Sequence, residues 1–424
     1  MTLAKLTGEG FTELGRLLAG YGALVLSAPD QRWEIPLPEA EPDPPPLDIV
    51  DIDLMPDRLI GYDDYRRIML QLSRGPGLRV YPAARSYQGR TVYALELESR
   101  RRGYVSRVKR LQYHPAVLIN GRHHANEVSA TNAIFAFIRE LATDRQYRDL
   151  GEELNLVFLP MENVDGAALH YALQKDHPCW EHRVCYTNPQ GADLMTNYFR
   201  PDTIHTEANA FTRIVETMLP DAFIDLHGVP HHELTQQFDQ LTGYKGLWLP
   251  RAPLCAFYFH IDDARFSSNR DLSLAWKEAA DRQYARWTAF EALSEEYNQR
   301  FTKYAWGGID ESYPCKHSGP MLDYWVPSPY NPRHPYPTVS RPWTFSVMFT
   351  AEAADETAHG PWLRFCAQAH LSHVRAGVSL MRRTRAVMED AASAAGGKGE
   401  IKYLRHRPVL APEACPFRYE KGER

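Results

Sequence analysis

The 424-residue sequence predicts an α/β fold built on an open sheet, and three observations carry that expectation. The apolar run Pro115–Asn120 is followed by a helix-like stretch, Ala130–Leu141, which is the alternation of a strand and the helix that covers it. A second strand-like run, Asp221–Gly228, ends in His227-Gly228. A third, Thr344–Glu352, is largely apolar until its final carboxylate. Each run delivers a metal-binding or titratable side chain to a strand end, and open α/β sheets bind ligands outside the carboxyl ends of their strands.

The chain opens with a small α+β segment, residues 1–35, made of a helix-like stretch at Phe11–Leu18 and two short apolar runs, Ala23–Ser27 and Trp33–Ile35. It is too small to bury a core alone. Residues 36–56 read as a linker, because the proline-rich Pro36–Pro46 favours a stiff extended backbone. The catalytic domain is expected over 57–395. Within it, the turn Ser86–Arg90 leads into the strand Thr91–Leu97, and the strand Leu154–Pro160 leads into the turn Asn163–Gly166. Residues 269–303 are expected to be an amphipathic helical insertion: Asn269–Thr302 holds no proline or glycine, and apolar residues recur through it at Leu272, Leu274, Trp276, Tyr284, Trp287, Phe290, Leu293 and Tyr297. Its apolar face packs on the domain itself, covers the cleft or meets another subunit. A loop rich in proline and tyrosine, Tyr324–Pro342, then leads to the Glu352 strand. Trp362–Ala391 reads as a closing helix and 396–424 as an extended tail.

Composition excludes several classes. With 44% apolar and 24% charged residues the chain is globular, and its net charge of −5 leaves no polybasic footprint for nucleic acid. No apolar run approaches the roughly 18 residues of a membrane span. The N-terminus shows no charged-then-apolar leader pattern, so a cytoplasmic enzyme is expected. Cys179, Cys185, Cys255, Cys315, Cys366 and Cys415 show no Cys-x-x-Cys spacing and read as reduced thiols. Cys179 and Cys185 alone are placed to bridge.

The chemistry begins at His124 and Glu127, three residues apart just after a strand. Read alone, His-x-x-Glu most often marks a capped or solvated helix start. A second imidazole at a strand end, His227, changes that reading: two histidines and a glutamate are a zinc ligand set, with one position left for water. Glu352 ends an apolar strand, and buried carboxylates are costly unless paired or used. Zinc lowers the pKa of its water and polarises a carbonyl, and a nearby carboxylate is needed to move the proton. Glu352 is the candidate for that base. Asp225, two residues before His227 on the same strand face, is the candidate partner for the ligand's other ring nitrogen. His123 reads as packing against or supporting the ligands, and His231 and His232 as either rimming the site or capping a loop.

With these segments assembled, the chain from about Tyr62 to about Ala391 resembles the zinc metallocarboxypeptidases, the carboxypeptidase A-like family. The family's His-x-x-Glu and distant His match His124, Glu127 and His227. Its Phe-Thr-x-Glu-x-x-Asp strand matches Phe349–Asp355, its Asn-Pro-Asp-Gly turn resembles Asn163–Gly166, and its Ser-x-x-Gly-Arg turn resembles Ser86–Arg90. The resemblance implies a mixed, largely parallel twisted sheet flanked by helices, one zinc per chain, Glu352 as general base, and a peptide substrate. It also implies an arginine that polarises the scissile carbonyl, for which Arg183 in Trp180–Arg183 is the match, and a mobile tyrosine, for which Tyr324 and Tyr330 both qualify. The chain departs from the family where an Asn-Arg pair holds the substrate's terminal carboxylate. In Gly191–Phe199 that pair reads Met195 and Thr196, followed by Asn197, and neither offers a guanidinium fork. The expected activity is zinc-dependent hydrolysis of a peptide bond. The alternatives are an endopeptidase, an amidohydrolase or deacylase acting on a small acylated compound, and a zinc-binding module without turnover.

Overall fold

A computed structural model describes residues 23–36, 45–98, 114–229, 252–304, 315–318, 321–390 and 403–410. His231 and His232, like the helix-like stretch Phe11–Leu18, lie outside the described residues. The chain divides into Met1–Pro46 and Leu47–Arg424. In the first unit, β1 (Ala23–Ala28) and β2 (Gln31–Pro36) pair as an antiparallel hairpin. The second unit begins inside the stretch expected to be linker, because Ile49, Ile52, Leu54 and Met55 are buried in its core.

Helix α1 (Tyr62–Leu72) buries Tyr65, Ile68, Met69 and Leu72, a spacing of three and four that leaves its other face to solvent. β3 (Leu78–Arg85) and β4 (Thr91–Leu97) form a hairpin, followed by β5 (Ala116–Gly121), α2 (Ser129–Thr143), β6 (Asn155–Leu159) and α3 (Val164–Asp176). Helix α4 (Ala208–Met218) precedes β7 (Ala222–Val229) and β8 (Leu254–Ile261). The stretch free of proline and glycine is two helices, α5 (Ser267–Tyr284) and α6 (Thr288–Tyr304). β9 (Cys315–Ser318), β10 (Met321–Ser328), the short α7 (Pro337–Ser340), β11 (Val347–Ala354) and α8 (Gly360–Met381) follow.

Nine strands make one mixed sheet in the order β3-β4-β6-β5-β7-β11-β8-β10-β9. The central four, β6-β5-β7-β11, are parallel, and β11 pairs antiparallel with β8. Every residue of those four strands is buried, which is why they read as continuous apolar runs rather than alternating ones. Helices cover the sheet, among them α2 and α8, which pack on one another.

The helical insertion packs on its own domain. Trp276 of α5 is fully buried against Phe349 of β11, with ring centroids 3.8 Å apart. Two expectations for the chain's end are corrected. The closing helix stops at Met381, and Thr384–Asp390 is instead a strand, β12, antiparallel to β13 (Tyr403–Leu410) within the expected tail. Tyr324 lies in β10 rather than in a loop. Among the described residues no helix is long and apolar enough to cross a membrane.

Candidate metal centre

Register alone brings the predicted residues to one edge. Asn120 of β5, Asp225 of β7 and Thr350 of β11 stand level, and two residues further on His227 pairs with Glu352. The turn after β5 supplies His124 and Glu127. It is shaped by Arg122, whose backbone takes the left-handed conformation (φ 55°) and whose fully buried guanidinium donates to the carbonyls of Ala125 and Ile60. Burial lowers the Arg122 pKa to about 10. The helix that follows is held from the other side of the site: Asp355 Oδ2 accepts the Ser129 N–H at 2.6 Å, satisfying a donor of the first turn of α2.

Three ligand atoms converge. His124 Nδ1 lies 2.7 Å from Glu127 Oε1, His227 Nδ1 lies 3.1 Å from Glu127 Oε2, and the two Nδ1 atoms are 3.1 Å apart. All three side chains are buried, and their ligand atoms fall within 4.8 Å of one another. The donor set fits zinc: two imidazole nitrogens and a carboxylate aimed at one point are a tight trigonal face. On the outer side Asp225 Oδ2 sits 2.9 Å from His227 Nε2, which leaves Nδ1 as the nitrogen facing His124 and Glu127. Burial lowers the His124 pKa to about 4, keeping that imidazole neutral, as a ligand must be. Burial opposes the Glu127 charge, but His124 and His227 hold its carboxyl well below the usual range.

Glu352 is buried beside His227, and one of its carboxylate oxygens has no hydrogen-bond partner. Burial pushes its pKa well above the usual carboxylate value against the pull of His227, and Glu127, Asp225 and Asp355 raise it further. Arg183 stands at the rim with its side chain 45% exposed. Its Nη1 donates to Glu356 Oε1 at 2.6 Å, and its guanidinium lies 4.9 Å from the centroid of Tyr186, whose ring stacks on His124 at 3.6 Å.

A buried network that the sequence reading did not assemble runs behind the ligands. His123 sits between Asp193 Oδ1 (2.9 Å from Nε2) and Glu162 Oε2 (3.1 Å from Nδ1). Glu162 also accepts from Tyr198 Oη at 2.8 Å and from Asn120 Nδ2 at 2.7 Å, and Asn120 reaches on to Asp225 at 3.2 Å. Burial opposes a charge on His123, but the two carboxylates raise its pKa to about 10, so both ring nitrogens donate. His123, His124 and Asp193 also form a second group of possible ligand atoms, although the His123–Asp193 contact within it is that of an ion pair. The sequence signal for this network was its pair of polar residues at strand ends, Asn120 and Glu162, in otherwise apolar surroundings.

The remaining predicted residues fall as follows. Met195 packs against the core, Thr196 Oγ1 donates to the Asp193 carbonyl at 2.8 Å, and Asn197 Nδ2 donates to the same carbonyl at 3.2 Å. The segment Gly191–Phe199 has no arginine of its own, and the Arg341 guanidinium lies 3.6 Å from the Phe199 ring centroid. Tyr324 is level with Phe257 of β8, which is level with Thr350, so its backbone lies two strands from β11. The Tyr330 ring meets Trp343, four residues ahead of the start of β11, at 5.2 Å. Cys179 and Cys185 are free thiols, so the 179–185 bridge is not formed.

The mixed α/β sheet thus carries a buried His-Glu-His cluster at the carboxyl ends of its parallel strands. Residues 67–228, under half of the chain, match the family model described as zinc carboxypeptidase. The match contains His124, Glu127 and His227, and ends before Glu352. Among solved structures the chain is similar to carboxypeptidase A from Helicoverpa armigera (12% identity, covering 89% of this chain and 95% of that one, TM-score 0.45). It is also similar to a metallo-carboxypeptidase from Pseudomonas aeruginosa in complex with (2-guanidinoethylmercapto)succinic acid (15%, 86% and 82%, 0.44). A third is a metallo-carboxypeptidase from Burkholderia cenocepacia (15%, 75% and 69%, 0.40). No curated protein matches the chain by sequence.

Proposed function

We propose that the chain is a hydrolase of peptide or related amide bonds that holds one zinc through His124, Glu127 and His227 and uses Glu352 as its general base. The observation that carries this reading is the convergence of the three ligand atoms with Glu352 one strand away, level with His227. When bound, zinc supplies the Lewis acidity that activates a carbonyl and a water. Glu352 accepts the proton of the attacking water and returns it to the leaving amine, a task helped by burial, which raises its proton affinity. Arg183 faces the oxygen that gains charge as the carbonyl carbon becomes tetrahedral, and loss of such a donor typically costs about a hundredfold or more in rate.

Met195 and Thr196 favour a second reading of the substrate. Neither can grip a terminal carboxylate with two parallel N–H donors. A substrate without a free terminal carboxylate, cleaved by an endopeptidase or by an amidohydrolase or deacylase of small acylated compounds, suits that segment better than a free peptide end.

The test is a panel of N-blocked peptides, each as a C-terminal acid and a C-terminal amide, incubated with the zinc-loaded chain and resolved by mass. Cleavage of acids alone supports carboxypeptidase action with another cation at the terminus. Cleavage indifferent to the amide supports the second reading. A zinc-loaded chain that also leaves small N-acyl compounds intact would be a binding module, and the hydrolase proposal would fall.

A further inference from the structure

Glu356 is fully buried, four residues beyond Glu352, at the turn that leaves β11. An ionised carboxyl removed from water is costly unless a cation meets it. The cation that meets it is Arg183, 173 residues away in sequence, through a 2.6 Å charge-assisted hydrogen bond. Arg183 is nearly half exposed, on a short turn that follows His182 in a left-handed conformation. The Glu356 contact holds its inner end, with the guanidinium over Tyr186, whose ring stacks on the proposed ligand His124.

We infer that Glu356 is a positioning residue: its buried carboxylate fixes the Arg183 guanidinium over Tyr186, one ring layer from His124, and so sets where the site presents its cation to substrate. This rests on the hydrolase reading for its effect on rate, but not for its effect on Arg183. The backbone turn is itself anchored, since the amides of Asp355 and Glu356 both donate to the Val229 carbonyl of β7. One segment, 352–356, thus carries the proposed base, the side chain that holds the start of α2, and the side chain that orients the arginine.

Two measurements test the inference in the full chain. The first needs no substrate: phenylglyoxal modification of Arg183, followed by mass mapping, is expected to run several-fold faster in Glu356→Gln than in the wild type. An equal rate overturns the inference whether or not any peptide is cleaved. The second is a kinetic cycle on any substrate the panel identifies. Glu356→Gln is expected to lower kcat by roughly ten- to a hundredfold, with zinc content unchanged. Arg183→Met is expected to cost about as much as the double variant Arg183→Met/Glu356→Gln, because the two residues act as one unit. Losses that multiply in the double variant, or a kcat untouched by Glu356→Gln, would overturn it. A wild-type chain that cleaves nothing defeats the hydrolase reading instead, and leaves the modification rate to decide the role of Glu356.

Discussion

Gly228 follows the proposed ligand His227, where a larger residue has no room: a Cβ would lie 1.9 Å from Asp355 Oδ1 and 3.0 Å from Glu127 Cβ. The one missing methyl lets the carboxylate that holds α2 pass directly behind the ligand strand. The contact of Asp225 with His227 Nε2 turns the other ring nitrogen toward His124 and Glu127, where the proposed zinc would sit. Asp225→Asn is expected to weaken zinc binding by roughly tenfold or more, read by competition with a chromogenic chelator. Unchanged affinity would mean that the His227 ring is oriented by packing alone. At this scale much was legible. His124, Glu127, His227, Asp225 and Glu352 stand out because charged side chains at the ends of apolar runs conflict with burial. Glu356 and Arg122 were not legible, since a single charge beside a polar turn looks like any solvated residue until its partner is seen.

The parallel strands β5, β6, β7 and β11 could be read from sequence because both their faces are covered, and burial leaves an uninterrupted apolar run. β8 had the same signal in Leu254–Ile261. The edge strand β9 and its neighbour β10 did not, and β12 continued so directly from α8 that the stretch read as unbroken helix. Helix α5 was legible as a helix, but its partner was not. Its partner is α8, where Gly377 admits the Trp276 ring: a Cβ on Gly377 would sit 1.9 Å from Trp276 Cζ2. Gly377→Ala is therefore expected to destabilise the domain by on the order of 1–3 kcal/mol despite the higher helix propensity of alanine. A shift of the urea midpoint to lower concentration would show this. A midpoint that rises would mean that the indole moves aside at no cost.

Over the whole molecule, charge buried away from the cluster gives stability its own pH dependence. Glu207, ahead of α4, is fully buried, and burial together with the neighbouring Asp165 raises its pKa from 4.5 to about 7. Between those values the folded chain keeps a proton that the unfolded chain releases, so this group's contribution to stability falls as pH rises from about 4.5 to about 7, and levels off above. Thermal unfolding of the wild type and of Glu207→Gln across that range is expected to show a downward slope that the substitution flattens. Parallel curves would place the titration elsewhere. Asp165 has its own structural task, accepting from Ser86 Oγ, the Gln88 N–H and Arg90 Nη1, so two turns recognised separately in the sequence form one contact.

If the carboxyl ends of β7 and β11 perform hydrolysis with Glu352 as proton carrier, Glu352→Gln separates that chemistry from metal binding. Bound zinc and turnover of the best panel substrate would be measured on the same preparation. Zinc content equal to the wild type is expected, with turnover lowered by roughly a thousandfold or more, since base, proton return and charge are lost together. Turnover near the wild-type rate with zinc in place would contradict it.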